Sequence, residues 1–163
     1  MGILQTANMK VKDRINDRCQ KHKNSFFAIC GLGLKPRGVN QLTATNIYKR
    51  IVMPIALYGS ELWNDMTVTD IQTLNKLQYF IVKTIQGFHY RTRSDMCEPM
   101  LGLFRLTVEV EKRKLLFLHK ILSLPGNALC KQIFTTKYLF YLHDRRSVRR
   151  GFIPDICEVV QKY

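Results

Sequence analysis

Residues 48–63 read YKRIVMPIALYGSELW, and this stretch decides how the chain folds. Its apolar side chains recur at three- and four-residue intervals, which is the spacing of an amphipathic helix. Pro54 lies inside that pattern, and a proline within a helix removes one backbone hydrogen bond and clashes with an earlier carbonyl, at a cost of about 3 kcal/mol. Gly59 follows before the apolar pattern ends. The sequence therefore predicts a kinked helix that places Tyr58 and Trp63 in the core, where packing offsets the lost hydrogen bond.

Further segments also repeat apolar residues at helical spacing, and they alternate with stretches that stop a helix. The stops are the glycines and proline of residues 31–38, then Gly87, then Pro125 with Gly126. No stretch alternates apolar and polar residues in the manner of a strand. The sequence therefore predicts an all-α fold, an irregular bundle of about six helices with no substantial sheet. The predicted helices cover residues 3–30, 43–63, 67–87, 95–101, 107–122 and 129–142.

Polar residues stand where several of these helices are predicted to begin. Ser, Thr, Asp and Asn side chains accept hydrogen bonds from the first free N–H groups of a helix. An acidic residue three positions later reaches back and completes a capping box. The predicted caps are Thr43 or Thr45 for the kinked helix, Thr67 or Thr69 for the next one, and Asp95 with Glu98 for the short one.

The charge of the chain is strongly unbalanced. Its 163 residues contain 26 Lys and Arg against 12 Asp and Glu, so the formal net charge is +14. Such a surface predicts binding to a polyanion, of which nucleic acid and an anionic membrane are the common examples. No uninterrupted apolar run is long enough to span a bilayer, and none is typical of a signal peptide. The sequence therefore favours nucleic acid and predicts no membrane partner.

The five cysteines are far apart, and no two of them stand in a CxxC pair. Neither a disulfide framework nor a zinc ribbon is supported by that spacing. Cys19 and His22 are one helical turn apart, but both fall on the apolar stripe of the first predicted helix. Without a second pair at zinc spacing they are interpreted as core residues. Reduced cysteines predict an intracellular protein of the cytoplasm or nucleus.

The sequence contains no recognisable catalytic constellation. Its carboxylates never form the adjacent Asp pair that two-metal polymerases use, and the Gly-rich residues 31–38 lack the Gly-Lys-Ser/Thr ending of a phosphate loop. Asp155 and Glu158 faintly resemble a nuclease metal site. Their tight spacing favours a plain helix start instead, with Pro154 and Asp155 in the first turn. We predict no catalytic residue and no metal ligand in this chain.

Basic residues are the positive signal for function. Arginine forks match phosphate geometry, and neighbouring aromatic rings stack on bases. FHYRTR (88–93) interleaves rings with arginines on a predicted loop, and RRSVRR (145–150) holds four arginines in six residues. The alternative for each cluster, and for the basic face of residues 10–23, is a solvated surface. The candidate nucleic-acid-binding residues are Lys49, Arg50, Lys83, Arg91, Arg93, Arg145, Arg146, Arg149 and Arg150.

In this order, the motifs resemble the segment that follows the palm in non-LTR (LINE-type) retrotransposon reverse transcriptases. There, a Gly-rich loop precedes a helix with a Tyr-Lys, a central proline and a Tyr-Gly-x-x-x-Trp ending. The resemblance continues through Leu77-Gln78, Ile85-Gln86-Gly87, residues 91–95, 101–102, 111–115 and 151–154. The helix positions that carry it are Ile47, Tyr48, Lys49, Val52, Pro54, Tyr58, Gly59 and Trp63.

The resemblance implies that residues 1–142 are a helical thumb and post-thumb region. Residues 143–163 are then a basic tail leading into a truncated terminal helix. The thumb closes over the primer–template, so the implied partners are an RNA or DNA template–primer and the palm and fingers of a parent RNA-directed DNA polymerase. The parent uses Mg²⁺ in its palm, whereas this chain shows no cofactor site of its own.

Two other functions fit the same residues. The chain is compatible with a stand-alone helical module that binds RNA or DNA without sequence preference. It is also compatible with a domesticated interaction protein whose charge is incidental. A palm with an adjacent Asp pair, encoded upstream in the same reading frame, would distinguish the polymerase fragment from both.

The missing carboxylate pair generates a direct prediction about activity. The purified chain should incorporate no nucleotides on a primed template in the presence of Mg²⁺, because phosphoryl transfer depends on positioned metal ions. Incorporation of labelled nucleotides measures this. Template-dependent synthesis that a chelator abolishes would contradict the prediction.

Overall fold

The protein is described here by a computed structural model that covers residues 11–34, 38–144 and 150–163. Over these ranges the chain is mostly helical and contains no strand, which confirms the all-α prediction. The elements are α1 (Val11–Gly31), α2 (Gln41–Ile47), a π-helical turn (Tyr48–Val52), α3 (Met53–Ala56), a 3-10 turn (Ser60–Leu62), α4 (Val68–Gln86), α5 (Ser94–Met100), α6 (Leu106–Ser123), α7 (Leu129–His143) and α8 (Phe152–Lys162).

The predicted irregularity around Pro54 takes the form of a π-helical turn. Helix α2, this turn and α3 follow one another without a break, and the N–H of Met53 bonds to the carbonyl of Tyr48, five residues earlier. Pro54 follows directly, so the residue that lacks a backbone donor lies where the continuous helix passes from the π-helical turn into α3. One extra residue in the turn therefore accommodates the proline.

The π-helical turn changes which residues face the core beyond it. Tyr48 and Val52 are fully buried, as the apolar pattern predicts, and Trp63 is also buried. Tyr58 is 46% exposed, so its predicted core position is wrong, and Leu57 is buried instead. The extra residue shifts the inward face by one position, which moves Tyr58 outward. The α-helix also ends at Ala56, before Gly59 adopts a left-handed conformation (φ 75°), rather than continuing to Trp63.

The capping residues predicted from the sequence are confirmed at one helix and are wrong at two others. Thr67 and Asp70 form a reciprocal capping box at the start of α4. Helix α2 is capped by the side chain of Asn40 rather than by a threonine, because the helix begins at residue 41. The predicted Asp95–Glu98 box is wrong: Asp95 is bound to Arg93 and Glu98 is buried.

The chain divides into two compact units, of which the first comprises residues 1–58 and 67–109. In its described part α1 packs against α3 and α4, α2 packs against α4, and α4 packs against α5. Two buried glutamines of α4 form hydrogen bonds to backbone groups, one of them to α5 and the other to the residues that follow α5. Gln78 donates to the carbonyl of Phe104 (2.7 Å) and accepts from the N–H of Leu106 (2.6 Å), and Gln86 donates to the carbonyl of Cys97 (2.9 Å). These bonds fix the segment after α4.

Three of the buried titratable groups in the first unit have shifted pKa values. His22 of α1 is fully buried and stacks on Tyr48, with 5.6 Å between ring centroids. Burial lowers the pKa of His22 to about 4 and raises the pKa of Tyr48. Burial also raises the pKa of Glu98 to about 6, opposed by the charge of Arg105. His22 is thus a core residue, as the sequence predicts, and Cys19 beside it is partly buried with a thiol pKa raised by burial to about 11.

The second unit comprises residues 59–66 and 110–163. Lys114 of α6 is 1% exposed, and its ammonium lies 2.5 Å from the carboxylate of Asp155 in α8. Phe152 packs edge-on against Phe117 and Phe134, at centroid distances of 5.6 and 6.4 Å. Helix α8 begins with Pro154 and Asp155 in its first turn, which confirms that interpretation of the sequence. The predicted division at residue 142 concerns parts of a parent polymerase and stays a prediction.

The buried Lys114–Asp155 pair generates a stability prediction. Replacing Asp155 by Ala leaves the Lys114 ammonium buried without a counter-ion, so we expect the free energy of unfolding to fall by about 3 kcal/mol. Urea unfolding followed by circular dichroism measures this. The double variant K114M/D155A should recover most of the loss, since it removes the unpaired charge as well.

The pair between Lys162 and Glu111 (2.7 Å) supplies the control, because the Lys162 side chain is 58% exposed. Glu111→Gln should cost less than about 1 kcal/mol, because an exposed ion pair contributes little. Equal losses in D155A and E111Q would contradict a special role for the buried pair.

The buried His22 generates a prediction about acid stability. Its pKa of about 4 when folded lies below the ordinary value of 6.5, so only the unfolded chain binds this proton in between. The contribution of neutral His22 to stability is therefore present above pH 6.5 and lost as the pH falls to 4. As the pH falls from 6.5 to 4, we expect the free energy of unfolding of the His22→Phe variant to rise by about 3 kcal/mol relative to that of the wild type.

The comparison with the wild type matters because protonation of Glu98, whose pKa is raised to about 6, stabilises the fold in the same range. Glu98 is present in both proteins, so its contribution cancels. His119→Phe, at an exposed position of α6, is the control. Parallel stability curves for H22F and the wild type between pH 4 and 6.5 would contradict the prediction.

Candidate nucleic-acid interface

The structure brings the candidate residues Lys83 and Arg91 close together at the end of α4. Gly87 has φ 69°, and the N–H of Phe88 bonds to the carbonyl of Lys83 while that of Gly87 bonds to Thr84. This pair of bonds is the Schellman arrangement that ends a helix at a left-handed glycine. The chain then turns back, so that the Lys83 ammonium donates to the carbonyl of Tyr90 (3.0 Å). The predicted loop at residues 88–93 is thereby held against α4.

A groove runs along this surface between α4 and the loop. Its volume is about 400 Å³, and two lysines and four partly exposed aromatic rings line it. The Phe80 ring is supported from behind by Phe27 of α1, at a centroid distance of 6.0 Å. We call this the α4 groove; its lining residues are Lys76, Tyr79, Phe80, Lys83, Thr84, Phe88, Tyr90 and Ser94.

Arg91 is held beside the most exposed ring of this groove. Its guanidinium carbon lies 5.4 Å from the centroid of Tyr90, and its Nε donates to the Tyr90 hydroxyl (2.9 Å). His89 also contacts the Tyr90 ring, at 4.3 Å between centroids. Tyr90 itself is 70% exposed. The loop therefore presents a ring and a cation as one fixed unit.

Arg93 differs from Arg91 because it has an acidic partner. Its guanidinium forms two hydrogen bonds to the Asp95 carboxylate, at 2.7 and 3.3 Å. The hydrogen bond and charge of Asp95 raise the pKa of Arg93, and those of Arg93 lower the pKa of Asp95. The pair cancels much of the charge that an approaching phosphate experiences. Arg93 remains a candidate with a weaker expected contribution.

Lys49 and Arg50 lie on the π-helical turn and are exposed, as predicted. The Lys49 ammonium donates to the carbonyl of Gly102 (2.9 Å), in a separate groove of about 260 Å³ that Glu109 also lines. Neither residue lines the α4 groove. A carboxylate at the same groove makes it a less favourable site for an anion.

The arginine cluster of residues 145–150 is described only in part. Arg145, Arg146 and Arg149 lie outside the described residues. Arg150 is exposed and belongs to the second unit, where it lines a different groove together with Lys137.

Sequence reasoning identified Lys83 and the loop but missed Lys76, Phe80 and Tyr79. The signal was present, since residues 76, 80 and 83 are spaced by one helical turn and share a face of α4. The sequence alone does not reveal this face, because a lysine on a helix is normally assigned to the solvated side and a phenylalanine to the buried side. The structure shows Phe80 partly exposed beside both lysines.

The described part of the chain shows neither a metal centre nor a spanning helix. No three His, Cys, Asp or Glu side chains gather there as metal ligands. Among the helices of the same residues, none is both long and apolar enough to cross a membrane.

No protein-family model matches the chain, and no curated protein or solved structure is significantly similar to it. The family suggested by the sequence motifs therefore stays a hypothesis.

Proposed function

We propose that the chain binds the sugar–phosphate backbone of nucleic acid at the α4 groove. We propose further that it is the thumb and following helical region of a non-LTR retrotransposon reverse transcriptase. In that role it positions the template–primer, and catalysis belongs to the palm and Mg²⁺ of the parent polymerase. One observation supports the binding function most strongly: Lys76 and Lys83 line one groove with the exposed rings of Phe80, Phe88 and Tyr90, and Arg91 lies beside Tyr90.

The cations of this surface retain donors for a phosphate. An ammonium group has three N–H donors, and Lys83 uses one of them on the carbonyl of Tyr90. Arg91 uses its Nε donor on the Tyr90 hydroxyl, which leaves the N–H donors of its two terminal nitrogens for a phosphate. Lysine and arginine contacts of this kind bind the backbone and carry no sequence information.

The rings give the surface a second means of binding. Tyr90, Phe80 and Phe88 are each more than a third exposed, although apolar rings are usually covered. Aromatic side chains next to cations stack on unpaired bases or cover sugars in many nucleic-acid-binding proteins. The combination favours nucleic acid over a purely solvated basic loop.

The polymerase hypothesis and a stand-alone nucleic-acid-binding module share this surface. They differ in what the genomic reading frame encodes upstream. A palm with an adjacent Asp pair there would support the polymerase fragment, and an intact frame without one would support the stand-alone module.

Salt dependence tests the proposed surface. The triple variant K76A/K83A/R91A should flatten the plot of log affinity against log salt by about two to three units on B-form DNA, since each neutralised phosphate contributes about 0.9. Arg93→Ala should change the slope by less than one unit, because Asp95 already compensates its charge. Fluorescence anisotropy with a labelled primer–template duplex at several KCl concentrations measures both effects.

Lys120→Ala is the matched control, because it removes an exposed lysine that does not line the α4 groove. It should leave the slope nearly unchanged. Circular dichroism should show full helix content in every variant, as all the substituted side chains are at the surface. An unchanged slope in the folded triple variant would refute the α4 groove as the phosphate-binding surface.

A further inference from the structure

Helix α7 exposes apolar side chains all around its surface. None of its 15 residues, all of which the structure describes, is buried. A helix that is apolar on every side is normally enclosed by protein, and an exposed apolar patch marks an interaction surface. The exposed apolar residues are Leu129, Ile133, Tyr138, Leu139, Phe140 and Leu142.

The helix is nevertheless held in place within the second unit. The Lys131 ammonium donates to the carbonyls of Leu122 and Leu124 at the end of α6, at 2.8 and 2.7 Å. Near the middle of α7 the ring of Phe134 packs edge-on against Phe152 of α8. These contacts attach α7 at its start and near its middle, and a groove is left open beside it.

This groove lies between α7 and the start of α8 and has a volume of about 480 Å³. Ile133, Lys137 and Phe140 line its α7 side at intervals of four and three residues, which places them on one helix face. Ile153 and Pro154 line its α8 side. We call it the α7 groove.

The charges at the α7 groove have one sign. Among the described residues that line it, Lys137 and Arg150 are the charged ones. Helix α7 contains no Asp or Glu. Two carboxylates of α6 and α8 are already engaged, Asp155 by Lys114 and Glu111 by Lys162. The surface therefore combines an apolar floor with two cations that no lining carboxylate opposes.

We propose that the α7 groove binds an acidic amphipathic helix of another protein. The apolar side chains of such a helix, spaced by three and four residues, cover Ile133 and Phe140, and its flanking glutamates meet Lys137 and Arg150. Laying an amphipathic helix into an apolar groove is a recurring mode of peptide recognition. This function is independent of the nucleic-acid-binding surface, because the two grooves share no residue.

Charge and polarity separate this partner from two others. A second copy of the chain carries a net charge of +14 and would bring only further lysines on its own α7. A nucleic-acid backbone would pair with Lys137 and Arg150 but would leave the apolar floor exposed to water. An acidic, apolar helix complements both features.

The experiment uses the full chain and two synthetic peptides of about 18 residues. Both peptides carry leucines at helical spacing, one with glutamates at the flanking positions and the other with lysines there. The glutamate peptide should bind at least tenfold more tightly by fluorescence anisotropy. Phe140→Asp should weaken that binding at least tenfold. Lys137→Glu should weaken binding of the glutamate peptide and strengthen binding of the lysine peptide.

Leu139→Asp is the matched control. Leu139 is 60% exposed on the same helix, close to the 65% of Phe140, but it does not line the groove. Binding of the glutamate peptide to L139D should stay within twofold of the wild type. Circular dichroism of both aspartate variants confirms that they are folded.

Several results would overturn the proposal. Equal binding of the two peptides, or equal losses in L139D and F140D, would show that the apolar surface is merely adhesive. Concentration-dependent dimers in sedimentation that F140D abolishes would assign the groove to a second copy. Competition between an oligonucleotide and the glutamate peptide, with both lost in K137E, would assign it to nucleic acid.

Discussion

The missing N–H of Pro54 is the constraint on which the first unit depends. The backbone accommodates it with one extra residue, and the N–H of Met53 reaches the carbonyl of Tyr48 across a π-helical turn. The same turn places Tyr48 in the core against His22 of α1. Both rings keep polar atoms without hydrogen-bond partners, at a cost that the surrounding apolar packing must offset. The π-helical turn, the buried Tyr48 and the buried His22 therefore depend on one another.

Buried glutamine side chains connect the core of the first unit to the candidate interface. Gln78 and Gln86 bond to the backbone at Phe104, Leu106 and Cys97, so the segment after α4 is tied to the core. The loop of residues 88–93 lies between these attachments and is further held by the bond from Lys83 to the carbonyl of Tyr90. A binding surface on a fixed loop loses less conformational entropy when it binds. The position of Tyr90 and Arg91 thus depends partly on Gln78 and Gln86, which do not line the α4 groove.

Local chemistry explains which parts of the fold the sequence predicts correctly. The capping pair Thr67–Asp70 and the left-handed Gly87 act within a few residues, and Thr67 and Gly87 were both recognised. The core position predicted for Tyr58 is wrong because the period of 3.6 residues does not continue across a turn that holds one more residue. The capping box predicted from Asp95 and Glu98 is wrong because Asp95 binds Arg93 and Glu98 is buried in the core, and the burial of Glu98 depends on tertiary packing. Lys76 is absent from the prediction because a lysine on a helix is normally assigned to the solvated face, and the sequence does not show the returning loop that completes its groove.

The net charge of +14 alone would not identify either proposed surface, because many of the cations are already engaged. Lys114 is buried against Asp155, Arg93 is bound to Asp95, and Arg18 lies over the ring of Tyr58 at 5.0 Å. What distinguishes the α4 groove is that cations and exposed rings occur together there, which suits a polyanion with stackable bases. The α7 groove pairs its two cations with aliphatic and phenyl side chains, which suits a partner that is itself both acidic and apolar. In both proposals, therefore, the kind of partner follows from the side chains that surround each cation and not from the charge alone.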